Sequence, residues 1–186
     1  FIFNPYMVSQ KKEWHRFITS GFIHADFFHL LVNMLVLYSF GPGVEAYFVL
    51  IVGDVGSTLF LIYYLIGLIV SILPTYFKNR DNYLYNGLGA SGAVSAVLFS
   101  YIVFQPWNKI YFYGILGIPG ILAGVAYLIF SSYMDKKGGD NINHDAHLWG
   151  ALFGLAATLG LIAAMQPDLF KYIIEELKHP SLLGRG

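Results

Sequence analysis

A serine and a histidine in otherwise apolar stretches of this sequence could together carry out acyl transfer. Serine becomes a nucleophile only beside a base, and His147 suits Ser91 because a histidine side chain titrates near neutral pH. His29 and Asn33 lie four residues apart, so they share a helix face from which both could donate hydrogen bonds to an oxyanion. Asp145 is two residues from His147 and faces away from it on a helix. The residues predict a Ser91–His147 dyad without a third member.

Small residues surround this serine and histidine, and they leave a structural reading open. Gly89 and Gly92 flank Ser91, but a Gly-x-Ser-Gly pattern is weak by itself. Two stripes have the four-residue spacing typical of packed membrane helices: Gly92, Ala96 and Ser100, and Ala146, Gly150, Gly154 and Thr158. We expect the two stripes to approach each other closely. Taken alone, His29 and Asn33 favour the reading as hydrogen-bonding residues between helices.

The distribution of charge predicts the elements that hold these residues. The chain has 186 residues, of which 56% are hydrophobic and 12% are charged. Five stretches lack Asp, Glu, Lys and Arg: 27–44, 55–77, 82–108, 110–134 and 146–167. A helix needs about 20 mostly apolar residues to cross a bilayer. We therefore predict an all-α polytopic membrane protein with five transmembrane helices, at 27–41, 57–77, 89–104, 111–133 and 145–165.

The remaining segments complete a single membrane domain over residues 1–186. Residues 9–26 are predicted to form an interfacial loop, 27–165 the helical core, and 167–178 an amphipathic tail helix. The first helix is expected to stop at Gly41-Pro42-Gly43, with 46–56 as a short connection. Residues 1–8 resemble the tail of an apolar segment, which suggests a further helix upstream. Residues 135–145 are predicted to be a polar loop.

Composition excludes several kinds of function. Eleven basic and eleven acidic residues give a net charge of zero, so no nucleic-acid surface is indicated. The chain has no cysteine, which excludes disulfides, thiolate zinc sites and a cysteine nucleophile. A metal-dependent enzyme or transporter would have to use Asp140, His144, Asp145 and His147. His144 and His147 have a spacing that could share a metal, but a third ligand on the same face is not evident.

The number of membrane crossings between the polar residues places them on the same side of the membrane. In a chain of alternating crossings, the first, third and fifth helices begin on the same side of the membrane. His29, Ser91 and His147 lie near those three beginnings. We therefore expect them to converge at similar depth.

At these positions the sequence resembles the rhomboid intramembrane serine proteases, from about residue 14 to residue 154. The motifs are Trp14-His15-Arg16, with one inserted residue, His24 followed by His29-x-x-x-Asn33, Gly41-x-x-x-Glu45, Gly89-x-Ser91-Gly92 and Ala146-His147-x-x-Gly150-x-x-x-Gly154. The resemblance implies that Ser91 is the nucleophile and His147 the general base. It implies an oxyanion hole made by His29, Asn33 and the Ser91 backbone N–H, with His24 in a structural role. It also implies a core of six helices, of which the first would be missing or truncated here.

The resemblance has further implications for substrate and membrane. Substrates would be transmembrane segments of other proteins, cleaved near the membrane surface without a cofactor or metal. The active site would face the extracytoplasmic side, in a bacterial cytoplasmic membrane, with 135–145 as a mobile cap and the fourth helix beside the substrate's lateral access. The positive-inside rule gives the opposite orientation, because seven of eleven Lys and Arg lie on the active-site side.

Two further points follow from the resemblance. In the family, an aromatic residue one turn after the nucleophile commonly packs on the catalytic histidine. This chain has Ser95 there, so Phe99 or Trp149 is expected to supply the ring. The alternative function is that of a non-catalytic rhomboid-like protein that binds transmembrane helices for trafficking or degradation. The sequence does not indicate an oligomeric state.

Overall fold

Helices form most of the chain in a computed structural model that describes residues 1–112, 115–137 and 143–180. The longer helices are α3 (Phe27–Val52), α4 (Gly56–Asn79), α5 (Ser91–Phe104), α6 (Gly120–Lys137) and α7 (His144–Met165). The shorter ones are α1 (Pro5–Lys11), α2 (Arg16–Thr19) and α8 (Pro167–Lys178), with 3-10 turns at Ser20–Phe22 and Gly53–Val55. Strands β1 (Lys109–Phe112) and β2 (Leu116–Pro119) pair antiparallel. The predicted second, third and fifth helices are confirmed within two residues at each end, and α8 matches the predicted tail helix.

Two stretches of the described residues are long and apolar enough to cross a membrane: Phe27–Asn79 and His144–Met165. The first contains both α3 and α4. Gly53, at φ 72°, ends α3, and a Cβ at Gly56 would lie 2.3 Å from the Val49 backbone nitrogen. The two helices therefore fold back tightly on each other. Ser91–Phe104 is a shorter apolar helix, and the predicted number of five crossings stays a prediction.

Helix α3 continues through Gly41-Pro42-Gly43, where the sequence analysis wrongly placed its end. Proline removes one backbone donor, but membrane helices tolerate this loss where neighbouring helices pack around the bend. Here Gly41 lies against Phe60 of α4, and Gly43 lies against the Tyr101 ring of α5. The glycines therefore serve close packing, and residues 46–52 belong to α3 instead of a connection.

A β-hairpin occupies the start of the stretch that was predicted as the fourth helix, 111–133. Ile110 pairs with Ile118, and Tyr111 pairs with Gly117. Only the second part of the prediction is helical, because α6 begins at Gly120. The two strands pair with each other through one edge each, and Pro119, which has no N–H to donate, stands at the end of β2.

The segment before α3 packs against the loop that leads to Ser91. Asn4 caps α1 by accepting a hydrogen bond from the Met7 N–H, and its Nδ2 donates to the carbonyls of Tyr83 and Tyr85. Phe3 exchanges two backbone hydrogen bonds with Gly87. The predicted apolar tail at 1–8 is therefore not helical before Pro5; Phe3 is buried and braces the 82–90 loop.

The two small-residue stripes meet at the contact between α5 and α7, as the sequence predicts. A Cβ at Gly150 would lie 2.0 Å from the Gly92 carbonyl oxygen, and one at Gly154 would lie 2.3 Å from the Ala96 carbonyl oxygen. One turn further, the Thr158 hydroxyl donates to Ser100 at 2.7 Å. The backbones of α5 and α7 are thus in direct contact over three turns, a spacing that larger side chains would prevent.

Candidate active site

Ser91 and His147 lie in hydrogen-bond contact at the beginnings of α5 and α7. The Ser91 Oγ and the His147 Nε2 are 2.8 Å apart, and both side chains are half-buried. Ser91 is the first residue of α5, so its backbone N–H is one of the donors that a helix leaves unpaired at its N-terminus. A general base must have its nitrogen or oxygen atom within about 2.6–3.2 Å of the atom from which it takes a proton. The pair therefore has the geometry for nucleophile activation.

Glycines make this approach possible. Gly89 has φ 104°, a conformation that residues with a side chain rarely adopt, and its N–H donates to the Ser20 carbonyl. A Cβ at Gly92 would lie 2.3 Å from the Ser71 Oγ. The missing side chain therefore lets Ser71 of α4 pack against α5 at the residue next to Ser91. Together with Gly150 and Gly154, these residues remove side-chain bulk around the serine and histidine.

The start of α7 is fixed to α4. Asn143 caps α7 by accepting a hydrogen bond from the Ala146 N–H. The same side chain exchanges hydrogen bonds with the Thr75 hydroxyl of α4, at 3.0 and 3.2 Å. His147 follows one turn later, so its backbone is held in place from two sides.

His29 lies against Gly89, two residues before Ser91. A Cβ at Gly89 would be 2.9 Å from the His29 Nε2, which places that nitrogen beside the loop leading to the nucleophile. The Ala25 N–H donates to the His29 Nδ1 at 3.5 Å. In the neutral tautomer that accepts at Nδ1, the hydrogen is on Nε2, toward the Gly89 loop. Asp26 positions the residue by accepting a hydrogen bond from the His29 backbone N–H.

Asn33 is buried, with 4% of its surface exposed, one turn after His29. Its Nδ2 donates one hydrogen bond to the His29 carbonyl within α3. A primary amide has a second hydrogen on the same nitrogen. In this structure Asn33 thus forms a contact within its own helix, and use of its other hydrogen by an oxyanion stays a prediction.

His24 packs edge-on against His29, with ring centroids 5.0 Å apart. Burial lowers the pKa of His24, and repulsion from the neighbouring His29 lowers it further. A neutral imidazole at this position is consistent with packing, and no contact of His24 with the dyad is seen among the described residues.

The ring that packs on His147 is Tyr127 of α6, which the sequence analysis missed. Its centroid lies 6.1 Å from that of the imidazole, with 25° between the planes. The expectation of Phe99 or Trp149 was wrong: Phe99 packs against Tyr127, and Trp149 is 42% exposed. Ser95, where the family commonly has the aromatic residue, instead lies 2.7 Å from the Tyr127 hydroxyl.

Asp145 is engaged away from the dyad. Its carboxylate is 3.0 Å from the Lys78 ammonium at the end of α4, which also lies 3.5 Å from Asp135 of α6. Residues 138–142, with Asp140 of the metal hypothesis and the middle of the predicted cap, lie outside the described residues. The described ends of that predicted loop are helical, because α6 continues to Lys137 and α7 begins at His144. Among the described residues, no group of three His, Asp or Glu side chains could hold a metal ion.

Several known proteins are similar to this chain over most of its length. A family model for the Rhomboid domain matches residues 11–164. The chain is 31% identical over 163 residues to RHOMBOID-like protein 12, mitochondrial, of Arabidopsis thaliana, covering 81% of this chain and 48% of the relative. It is 33% identical over 146 residues to Presenilin-associated rhomboid-like protein A, mitochondrial, of Danio rerio, covering 74% and 35%. It is 29% identical over 151 residues to Rhomboid protease GluP of Bacillus subtilis, covering 80% and 27%. The chain thus spans about half or less of the length of these relatives.

Proposed function

The chain belongs to the rhomboid family of membrane proteins, and on that premise we propose that it is an intramembrane serine endopeptidase. The observation that carries the proposal is the 2.8 Å contact between the Ser91 Oγ and the His147 Nε2. A serine hydroxyl beside an imidazole is the minimum that acyl transfer requires, because the imidazole can take the hydroxyl proton as the serine attacks. Ser91 and His147 lie in the first turns of α5 and α7, where unpaired backbone N–H groups are available beside the nucleophile.

The reaction runs through an acyl-enzyme. The Ser91 Oγ attacks the scissile carbonyl carbon while the His147 Nε2 takes the hydroxyl proton. The resulting oxyanion accepts hydrogen bonds from the Ser91 N–H, the His29 Nε2–H and the second hydrogen of Asn33 Nδ2. When the C–N bond breaks, His147 gives its proton to the leaving amine. Water then attacks the ester carbonyl, His147 takes a proton from it, and the carboxyl product leaves as that proton returns to Ser91.

The substrates in this proposal are transmembrane segments of other proteins, and no cofactor takes part. In a helix the scissile carbonyl is hydrogen-bonded and covered by side chains, so the bond must leave helical form before the serine can reach it. We expect small or helix-breaking residues at the cleavage site. The active site faces the extracytoplasmic side of a bacterial cytoplasmic membrane in this proposal; the names of the relatives include mitochondrial proteins, so the lipid bilayer is the shared feature.

Labelling with a fluorescent fluorophosphonate tests the proposal on the detergent-purified protein. The parent should be labelled, whereas Ser91→Ala and His147→Ala should not. Matched controls are Ser39→Ala, at an exposed serine of α3, and His179→Ala, at an exposed histidine after α8. Both controls should be labelled like the parent.

Cleavage of a reconstituted transmembrane peptide, with the products identified by mass spectrometry, completes the test. Cleavage within the segment, lost in Ser91→Ala and unchanged by a chelator, supports the peptidase. Absence of both labelling and cleavage would favour a non-catalytic protein that binds transmembrane helices. Loss of cleavage with a chelator would contradict the dyad mechanism and favour a metal.

A further inference from the structure

Tyr127 covers one face of the His147 imidazole from a third helix, α6. The stacked rings lie within the 4.5–7 Å range of interacting aromatic pairs. The Tyr127 hydroxyl is 2.7 Å from the Ser95 Oγ, and the Phe99 ring packs against the phenol at 5.8 Å. Both Ser95 and Phe99 belong to α5. The tyrosine is thus held at its hydroxyl and its ring by α5, while its face meets a residue of α7.

The position of this ring matters because a general base must be oriented as well as close. In hydrolases with a Ser-His-Asp triad, the aspartate carboxylate accepts a hydrogen bond from the histidine and keeps the ring in the correct orientation. Asp145 does not occupy that place here, since its carboxylate is paired with Lys78. The His144 ring also lies edge-on to His147 at 5.7 Å, but from the same helix. Tyr127 adds a ring contact from outside α7, and this contact limits rotation of the imidazole about its side-chain bonds.

We propose that Tyr127 is a positioning residue for His147 and that Ser95 fixes the tyrosine, so that α6 takes part in assembling the dyad. The inference rests on the proposed function, because alignment of His147 has a consequence only if Ser91 reacts. Ser95 lies one turn after Ser91, on the face of α5 that α6 and α7 share. A small residue there leaves room for a ring that arrives from α6.

The contacts of α6 make this arrangement depend on where that helix lies. Gly124, one turn before Tyr127, lets α6 approach α5: a Cβ there would be 3.1 Å from Ile102 and 3.3 Å from Phe99. A displacement of α6 that separates Tyr127 from Ser95 therefore also takes the ring away from His147. Alignment of the general base is coupled to the packing of α6 against α5.

The test measures the rate constant of fluorophosphonate labelling together with the final labelled fraction. A loss of folded protein lowers the final fraction, whereas a loss of alignment lowers the rate constant and leaves that fraction unchanged. The variants are Tyr127→Leu, Tyr127→Phe, Ser95→Ala and the double variant of the last two. Tyr133→Leu is the matched control, since Tyr133 lies on the same helix with 58% of its surface exposed.

Tyr127→Leu should lower the rate constant by about 10- to 100-fold, the scale of loss that follows from misplacing a catalytic group by about 1 Å. Tyr127→Phe keeps the ring and should stay within about threefold of the parent. The double variant should match Tyr127→Phe, because Ser95 acts through the Tyr127 hydroxyl that this variant already lacks. Ser95→Ala should lose no more than Tyr127→Phe, because the hydroxyl that it leaves in place also interacts with Ser131. Tyr133→Leu should equal the parent.

The proposal is overturned if Tyr127→Leu reacts as fast as Tyr133→Leu, or if Tyr127→Phe loses as much as Tyr127→Leu. If Tyr127→Leu does not fold, the two single variants and their double variant decide: a loss in the double variant equal to that of Tyr127→Phe supports the proposal, and multiplied losses overturn it. These outcomes are separate from failure of the proposed function, in which the parent is not labelled or Ser91→Ala is labelled equally.

Discussion

Replacing Gly150 with alanine should increase the distance between Ser91 and His147. The new Cβ would lie 2.0 Å from the Gly92 carbonyl oxygen, whereas carbon and oxygen in close contact stand about 3.3 Å apart. The backbones of α5 and α7 must therefore separate locally by about 1.3 Å. Ser91 precedes Gly92, and His147 lies one turn before Gly150. Adding the displacement to the 2.8 Å contact of Ser91 with His147 gives about 4 Å, beyond hydrogen-bond reach.

The expected result is a fall of about 10²-fold in the rate of fluorophosphonate labelling and in kcat on a transmembrane peptide. The melting temperature in detergent should also fall, because the contact between α5 and α7 lies in the core. Gly154→Ala should have a smaller effect on the rate. Its Cβ meets the Ala96 carbonyl oxygen at 2.3 Å, one turn further from the dyad.

Gly160→Ala is the control for this series. It makes the same change on the same helix, at an exposed position where the added Cβ meets nothing within 4 Å. Its rate should equal the parent's, and its stability should rise slightly, because alanine favours a helix over glycine by about 0.5–1 kcal/mol. If Gly150→Ala were labelled as fast as Gly160→Ala, the close contact of α5 and α7 would not set the distance within the dyad.

Substitutions at three further positions test the surroundings of the site. Asn33→Ala should lower kcat by about 10²- to 10³-fold with KM little changed, as expected for one oxyanion donor; a fall below about fivefold in steady-state cleavage would remove Asn33 from that role. Lys78→Met leaves the buried Asp145 carboxylate without its 3.0 Å partner and should lower the free energy of unfolding by about 1–2 kcal/mol. Lys78→Arg should keep most of that stability in thermal unfolding. The lowered pKa of His24 means that the unfolded chain binds a proton there more readily, so stability falls as pH drops below about 6.5. The melting temperature of His24→Gln should therefore fall less than the parent's between about pH 7.5 and pH 5, and parallel curves would contradict this assignment.

The contact of α5 with α7 could be predicted from sequence because its cause is local in each helix. Glycine, alanine, serine and threonine at four-residue spacing leave a groove on a helix whatever lies opposite. Two such grooves fit each other, and the pairing of Gly150 with Gly92 and of Thr158 with Ser100 follows. The beginnings of the helices were predictable for a similar reason, since Asp26 and Asn143 are good caps beside apolar runs.

The sequence predicted a helix where β2 and the end of β1 lie, because the prediction used the absence of charged residues and not the periodicity of the apolar ones. A stretch without charged residues shows that a segment is apolar, but it does not separate a helix from paired strands. Two runs of four residues, with Gly117 and Pro119 in the second, fit strands better than the first turns of a transmembrane helix. The same kind of error ended α3 at Pro42, because the breaker rule for soluble helices ignores neighbours that pack around the bend.

Tyr127 could not be predicted because its role depends on the rotation of α6 relative to α5. The two residues of the Ser95–Tyr127 contact are 32 positions apart, with a hairpin between them that sets where α6 begins. One residue more or less in that hairpin would turn the tyrosine about 100° around the helix. The only signal in the sequence was Ser95 at the position where the rhomboid resemblance implies an aromatic residue, and that signal does not indicate which helix supplies a ring instead.

These contacts differ in how much separation they tolerate. At α5 and α7, backbone meets backbone at Gly150 and Gly154, so any separation there acts directly on the distance from Ser91 to His147. At α6, the contacts that reach the dyad are made by side chains: Tyr127 packs on His147, and Phe130 packs on His144, whose ring lies edge-on to His147. Side-chain contacts tolerate a small shift of a helix better than packed backbones tolerate separation. The distance within the dyad therefore depends on α5 and α7, whereas the orientation of His147 depends, in our proposal, on α6.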